Sequence, residues 1–223
     1  MGAVNKNTLW RRGAGGPVVR SGKTRTRSFS CTAFLRNNHL TSRENSLIKH
    51  MRIVTPTSTL RDWSTSDAAR IVKYADNPRI ACHLRDVFPS PYTKEDAERF
   101  IAFATGPGRH LYLAIDISGE AIGGIGISPL ADVKHRTAEI GYWLAEPFWG
   151  RGIATDAVRS LVPVAFERMG MVRLEAGIHS DNPASMRVLE KCGFTREAVH
   201  KKAVTKNGRL LDEVVYVRFA EME

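Results

Sequence analysis

The stretch Ala138–Glu139–Ile140–Gly141–Tyr142–Trp143–Leu144, followed after two residues by Pro147 to Thr155 as PFWGRGIAT, is the most informative in the chain. It reads as a strand running into a glycine-bearing loop and then into a long helix. That order makes an anion site. The N–H groups of a helix's first turn lack partners and point outward, and the macrodipole adds roughly half a positive charge there. Gly150 and Gly152 let the backbone approach a pyrophosphate with no Cβ in the way, and Arg151 can add a charge-assisted contact. A Walker A loop would end in Gly-Lys-Ser/Thr, and a Rossmann GxGxxG would need a third glycine at Thr155; neither is present. On spacing alone, the loop reads equally as a glycine-rich turn that caps a helix.

Other reactive side chains give weaker signals. Cys192 sits beside Lys191 and Gly193 near a helix end, but no His/Asn partner has a recognisable motif, so a buried structural thiol is expected. His83, His110, His135, His179 and His200 are dispersed and form no HxxxH or HxH pair, which predicts no metal site. Cys31, Cys82 and Cys192 are too few and too scattered for a disulfide framework, and a reducing compartment such as the cytoplasm fits them.

The secondary structure around these residues can be read from periodicity. Arg52 to Leu60 has strand-like Thr and Val density, and Ser64 with Asp67 resembles a capping box opening a helix to about Ala75. Pro89 to Pro91 breaks the chain, and Thr93 with Glu95 and Asp96 opens a second helix to about Ala104. Leu111–Ile117 and Ala121–Ile127 flank a Ser118–Gly119 turn as a hairpin, and Ala138–Ala145 is a further strand. Ile153, Ala157, Val158, Leu161, Val162, Ala165, Phe166 and Met169 recur at helical spacing, with Pro163 predicting a kink. Val172–Ile178 is a strand, Pro183 and Gly193 bracket a short helix, and two last strands flank Asn207–Gly208. This is a mixed α/β domain.

The 223 residues are 43% hydrophobic and 25% charged, ordinary for a globular chain, and no long apolar run suggests a membrane span. The net charge of +10 is uneven. Residues 1–50 hold ten of the 33 basic residues and one of the 23 acidic ones, so the remainder is nearly neutral at +1. This leader has no apolar period and is expected to be disordered. It reads as upstream sequence with Met51 the true start, as a transit peptide, which would make the protein organellar, or as a basic arm. Nucleic acid is otherwise disfavoured as a partner. Function is sought in 51–223.

With Ser180–Asp181–Asn182–Pro183–Ala184–Ser185–Met186–Arg187–Val188–Leu189–Glu190–Lys191–Cys192–Gly193–Phe194 about thirty residues after GRGIA, the chain resembles the GNAT family of N-acetyltransferases, in its RimJ/RimL-like branch. The Leu84–Thr93 segment and the Thr59–Leu60–Arg61 opening are similar to that branch too, and the resemblance covers 51–223. Where the general family has Gln or Arg, this chain has Trp149, an aromatic often present in the branch. The resemblance implies an α+β GNAT fold, a mostly antiparallel twisted sheet of about seven strands that splays at the cofactor site, flanked by about four helices. It implies acetyl-CoA as co-substrate without a metal. The pyrophosphate would lie on the Gly150–Thr155 loop (Gly150, Arg151, Gly152, Ile153, Ala154 and Thr155). The pantetheine arm would pair like an extra strand with Trp143, Leu144 and Ala145, and contact Asn182, which just before Pro183 is also a good N-cap.

Acetyl transfer to an amine asks for a base and for a proton on the departing thiolate. Glu139 shares a strand face with Gly141 and Trp143 and matches the position of the base in related enzymes. A solvated or ion-paired glutamate is the plainer reading. Ser185 matches the serine thought to relay the thiolate's proton, though it could simply satisfy a helix's first turn. Arg85, Asp86, Phe88 and Tyr92 are expected to line the acceptor site, or merely to anchor the second helix. The acceptor implied is a protein N-terminus or a small-molecule amine, and the protein a monomer or homodimer. The alternative function is a non-catalytic acyl-CoA-binding or interaction module of the same fold.

Overall fold

The computed structural model describes residues 51–221, so the expectations for the basic leader lie outside the described residues. One eight-stranded sheet runs through the domain, in the order β1 (Arg52–Val54), β2 (Thr59–Asp62), β3 (Leu111–Ile117), β4 (Glu120–Pro129), β5 (Thr137–Leu144), β6 (Arg173–His179), β8 (Arg209–Phe219), β7 (Thr195–Lys206). Every neighbouring pair is antiparallel except β5–β6. The eighth strand arises because 52–60 is not continuous. The Thr55 hydroxyl donates to the Ser58 carbonyl (2.9 Å) and accepts from the Ser58 N–H, closing a turn between β1 and β2.

The helices are α1 (Ala68–Ala75), α2 (Pro78–Ala81), α3 (Lys94–Thr105), α4 (Ile153–Pro163) and α5 (Pro183–Lys191). The expected capping box of Ser64 with Asp67 forms ahead of α1, and Thr93 with Asp96 forms another ahead of α3. Side chains alternate across the sheet. Leu113 and Ile115 of β3 join Ile125, Ile127 and Ile140 beneath α4, which buries Ile153, Val158, Leu161 and Val162. Each of those four side chains contributes about 1.5–3 kcal/mol by leaving water. Ala114 and Ala121 face the other way, under Ile71 of α1, Ile101 of α3, Trp63 and Tyr92.

Pro163 breaks its helix as expected, because it has no N–H to donate to the preceding turn. The chain widens there into a single π turn over Val164–Arg168, with the Met169 N–H reaching the Val164 carbonyl at 3.1 Å. Asn207 and Gly208 both take positive φ (50° and 73°), the requirement of the tight hairpin joining β7 to β8.

A buried charge network ties β2, β3 and the entry to α1. Arg61 donates to both oxygens of Asp67 (2.7 and 2.9 Å) and through Nε to Asp116 (2.8 Å). Asp67 is 1% exposed and Asp116 8%. Burial alone would raise the Asp67 carboxyl, but the Arg61 guanidinium and the Ser64 N–H outweigh it and hold the carboxyl below its usual value. Arg61→Ala strands two buried carboxylates and is expected to cost about 3–5 kcal/mol in urea unfolding at pH 7. Because Asp67 titrates lower folded than unfolded, its contribution is present above the unfolded value near 3.9 and is lost as pH falls through the folded one. The wild type is therefore expected to lose stability more steeply below about pH 4 than Arg61→Ala.

Candidate active site

The parallel register between β5 and β6 holds for Thr137–Glu139 against Arg173–Glu175 and ends there. Beyond it β5 stays paired with β4 as far as Leu144, and β6 with β8 as far as His179. The sheet opens in a V between them, and a cleft lies on each side of the opening. One, of about 330 Å³, is lined by Trp143, Leu144, the Gly150–Thr155 loop and the first turn of α5. The other, of about 550 Å³, is lined by Arg85, Phe88, Tyr92, Glu139, His179 and the Ala203–Lys206 end of β7. They share His83, Leu84, Tyr142, Trp143, Asn182 and Ser185.

The smaller cleft has the features of an anion cradle. Gly152 (φ +79°) is the N-cap of α4 and offers no side-chain cap, while Asp156 is the first helix residue whose N–H returns to the Gly152 carbonyl (2.9 Å). The N–H groups of Ile153, Ala154 and Thr155 therefore open the helix toward the cleft. Gly150 also has positive φ (+75°), and a Cβ on either glycine would meet nothing within 4 Å. What demands glycine here is the left-handed backbone. The Arg151 guanidinium donates to the Pro147 carbonyl (2.8 Å) over the Phe148 ring, holding a positive charge at the lip.

Trp149 donates through its indole N–H to the Leu144 carbonyl (2.7 Å), locking the loop to the strand end. Ala145 departs from expectation. It is fully buried, its N–H donates to the Ile122 carbonyl (2.8 Å) and its carbonyl accepts from Phe148 (3.0 Å). Its N–H is therefore not free to donate to a ligand, which leaves only the second lone pair of its carbonyl for strand-like pairing.

At the junction, Asn182 caps α5 by accepting the Ser185 N–H (3.2 Å), and the buried Tyr142 hydroxyl donates to the Ser185 carbonyl (3.1 Å). These two bonds fix the first turn of α5 through its backbone. The Ser185 hydroxyl is not needed for the cap, and it stands on the shared wall of the clefts. Burial pushes the Tyr142 phenol well up, so it remains a donor. Glu139 lines the larger cleft alone and is gripped by Arg85 (Nη2–Oε2 2.7 Å), joining two residues expected separately as base and acceptor contact.

Phe88 packs between Tyr92 (4.8 Å) and Trp143 (5.7 Å). Tyr92 is 5% exposed, so it forms floor more than rim, and burial pushes its phenol up to about 12. Asp86 reaches the largely buried Lys206 of β7 (2.7 Å), tying the Leu84–Tyr92 loop to the last hairpin. Sequence spacing missed one grouping altogether. His83, His179 and Asp181 meet at the junction, with ligand-type atoms all within 4.8 Å of one another.

A family model described as Acetyltransferase (GNAT) domain matches residues 58–195. The uncharacterised N-acetyltransferase YoaA of Bacillus subtilis is 40% identical over 44% of this chain and 54% of its own length. The ribosomal-protein-serine acetyltransferase of Escherichia coli is 33% identical over 40% of this chain and 50% of its own. The chain thus spans about half the length of these two relatives. The solved structure of Mycobacterium smegmatis RimJ in complex with CoA-disulfide superposes with a TM-score of 0.66, at 25% identity, over 76% of this chain and 86% of that one.

Cys192 does not fit the role of a nucleophile. It is 3% exposed, its Sγ contacts the Thr155 carbonyl (3.3 Å), and burial pushes its thiol up. In the native protein Cys192 is expected to resist iodoacetamide while Cys82, which is partly exposed, is labelled. Peptide mapping by mass spectrometry checks this; rapid native labelling of Cys192 would restore the thiol mechanism.

Proposed function

The chain belongs to the GNAT acetyltransferase family, and we propose that it moves the acetyl group of acetyl-CoA to a primary amine by direct transfer in a ternary complex. The observation that carries this reading is the meeting of two clefts across Trp143, Asn182 and Ser185, one with an uncapped helix start and one holding a carboxylate. The first suits a phosphorylated carrier. The second suits a cationic acceptor.

In this reading the acceptor nitrogen attacks the thioester carbonyl, so that an N–C bond forms and the C–S bond breaks. The amine must lose a proton, which Glu139 takes directly or through water, and the thiolate must gain one, which the Ser185 hydroxyl relays by donating to the sulfur as it accepts a proton from water. Arg151 and the first-turn N–H groups of α4 hold the pyrophosphate. Arg85, Phe88 and Tyr92 shape the acceptor side. The acceptor amine is a protein N-terminus, one relative being named a ribosomal-protein-serine acetyltransferase, or a small-molecule amine presented in the same way.

Two experiments test this. Calorimetric titration of acetyl-CoA into the full chain is expected to give saturable binding. Gly152→Glu, which puts a carboxylate on a positive-φ residue at the cradle, should weaken that binding more than about tenfold, or ~1.4 kcal/mol. Equal affinity in the variant would remove the cradle assignment. Thiol release is then followed with peptide N-termini and with polyamines as acceptors. Ser185→Ala is expected to lower kcat by about 10²–10⁴-fold with acetyl-CoA affinity held. A collapse of affinity at unchanged kcat would make Ser185 a binding residue. Binding without turnover on either acceptor class would favour a non-catalytic acyl-CoA module.

A further inference from the structure

His83, His179 and Asp181 bring ligand-type atoms within 4.8 Å of one another; His83 Nδ1 and Asp181 Oδ1 form an ion pair at 3.5 Å, and His179 Nδ1 has no hydrogen-bond partner among the described residues. Buried polar atoms in folded proteins nearly always have a partner, so a buried imidazole nitrogen without one, beside a His–Asp pair, marks a polar cluster with room for a further group. His179 is 8% exposed, at the C-terminal end of β6. His83 follows α2 and Asp181 lies in the turn between β6 and α5, so neither is held inside a regular element. We propose that these three side chains bind a divalent transition ion of the zinc class at the junction of the two clefts.

The chemistry of the donor set supports this choice. Two neutral imidazoles and one carboxylate form a three-ligand set that zinc accepts with a fourth position left open. His83 Nδ1 and Asp181 Oδ1 stand 3.5 Å apart, close to the ~3.3 Å edge of a tetrahedron with metal–ligand bonds of about 2.0–2.1 Å. One donor atom from each residue lies within 4.8 Å of the other two, and a bound ion would draw them in to that edge length. The other Asp181 oxygen accepts from Arg209 (3.3 Å), leaving Oδ1 directed to the imidazoles, an outer hydrogen bond of the kind that orients metal-binding carboxylates. Hard cations that demand all-oxygen shells are not served by two imidazoles.

The location gives the ion a consequence. Asp181 immediately precedes Asn182, the cap that sets Ser185, and His83 lines both clefts. With His179 lining the larger one, an ion held here would lie beside the path of the proposed transfer and is expected to inhibit it. Binding itself does not rest on the acetyl-transfer reading. Its inhibitory effect does.

The test uses untagged, chelator-treated full-length chain titrated with Co²⁺ and with Zn²⁺, with acetyl-CoA titrated into a separate aliquot. The wild type is expected to develop the visible spectrum of four-coordinate Co²⁺, displaced by Zn²⁺, and to melt at higher temperature with metal by mass action. His83→Gln, His179→Gln and Asp181→Asn should each weaken binding by about tenfold or more. The loop substitutions carry the result if the buried His179 variant fails to fold. No metal-dependent spectrum or melting shift, or the same response in all variants, overturns the proposal and leaves water as the partner of these atoms. Failure of the acetyl-CoA aliquot alone would count against the catalytic reading and leave the metal site standing.

Discussion

The site depends on the point at which β5 and β6 stop pairing. Three residue pairs join them, from Thr137 to Glu139 against Arg173 to Glu175, and each strand then keeps only its outer neighbour. Strands that part in the middle of a sheet leave backbone polar groups facing each other across a gap, and such groups demand partners. Ordinary sheets avoid this by staying paired. Here the segments at the C-terminal ends of the two strands hold the parting open. β5 leads through the Trp149-locked loop into α4, and β6 leads through the Asn182 turn into α5. The Tyr142 hydroxyl on the Ser185 carbonyl then joins the two sides at a fixed separation. A ligand with an amide-bearing arm satisfies what the missing ladder does not.

The helix starts divide the labour. Ser64, Asn77, Thr93 and Asn182 each place a side-chain oxygen on the first turn they precede. Among the described residues, α4 alone begins with neither a side-chain cap nor a capped turn leading into it, because its N-cap is a glycine. An uncapped start forgoes on the order of 1 kcal/mol of helix stability. The burial of Ile153, Val158, Leu161 and Val162 more than offsets that, so the sheet can hold an unsatisfied helix end against the smaller cleft. The α5 start is the reverse case. Its cap is complete, which frees the Ser185 side chain from any structural duty there.

Local signals in the sequence were largely sufficient for the elements, since capping boxes, the Asn207–Gly208 hairpin and the proline-limited helix depend on residues within a few positions of one another. The departures were local too: a Thr55–Ser58 turn inside an apparently continuous strand, and Ala145, whose N–H is taken by the Ile122 carbonyl. The cradle was legible because a helix N-terminus and its loop are contiguous. The pairings that complete the site were not. Arg85 meets Glu139 across 54 positions, Tyr142 meets Ser185 across 43, and Lys206 meets Asp86 across 120. No spacing rule reaches that far. Histidines separated by nearly a hundred residues read as scattered until β6 and the turn after α2 bring them together.

The Arg85–Glu139 pair bears most directly on how the proposed chemistry runs. The Arg85 guanidinium donates to Glu139 at 2.7 Å and so occupies the oxygen that an incoming amine would have to reach. The exposure of the partners resolves the conflict. Arg85 is 72% exposed on a loop and Glu139 37% exposed, and exposed pairs of this kind are worth only about 0–1 kcal/mol. An incoming ammonium offers the carboxylate the same charge and comparable hydrogen bonds, so exchange costs little. In the proposed reaction Arg85 would give up this contact to the acceptor's cation. The chain bearing the amine would then lie along the apolar wall of Phe88 and Trp143 beside that carboxylate.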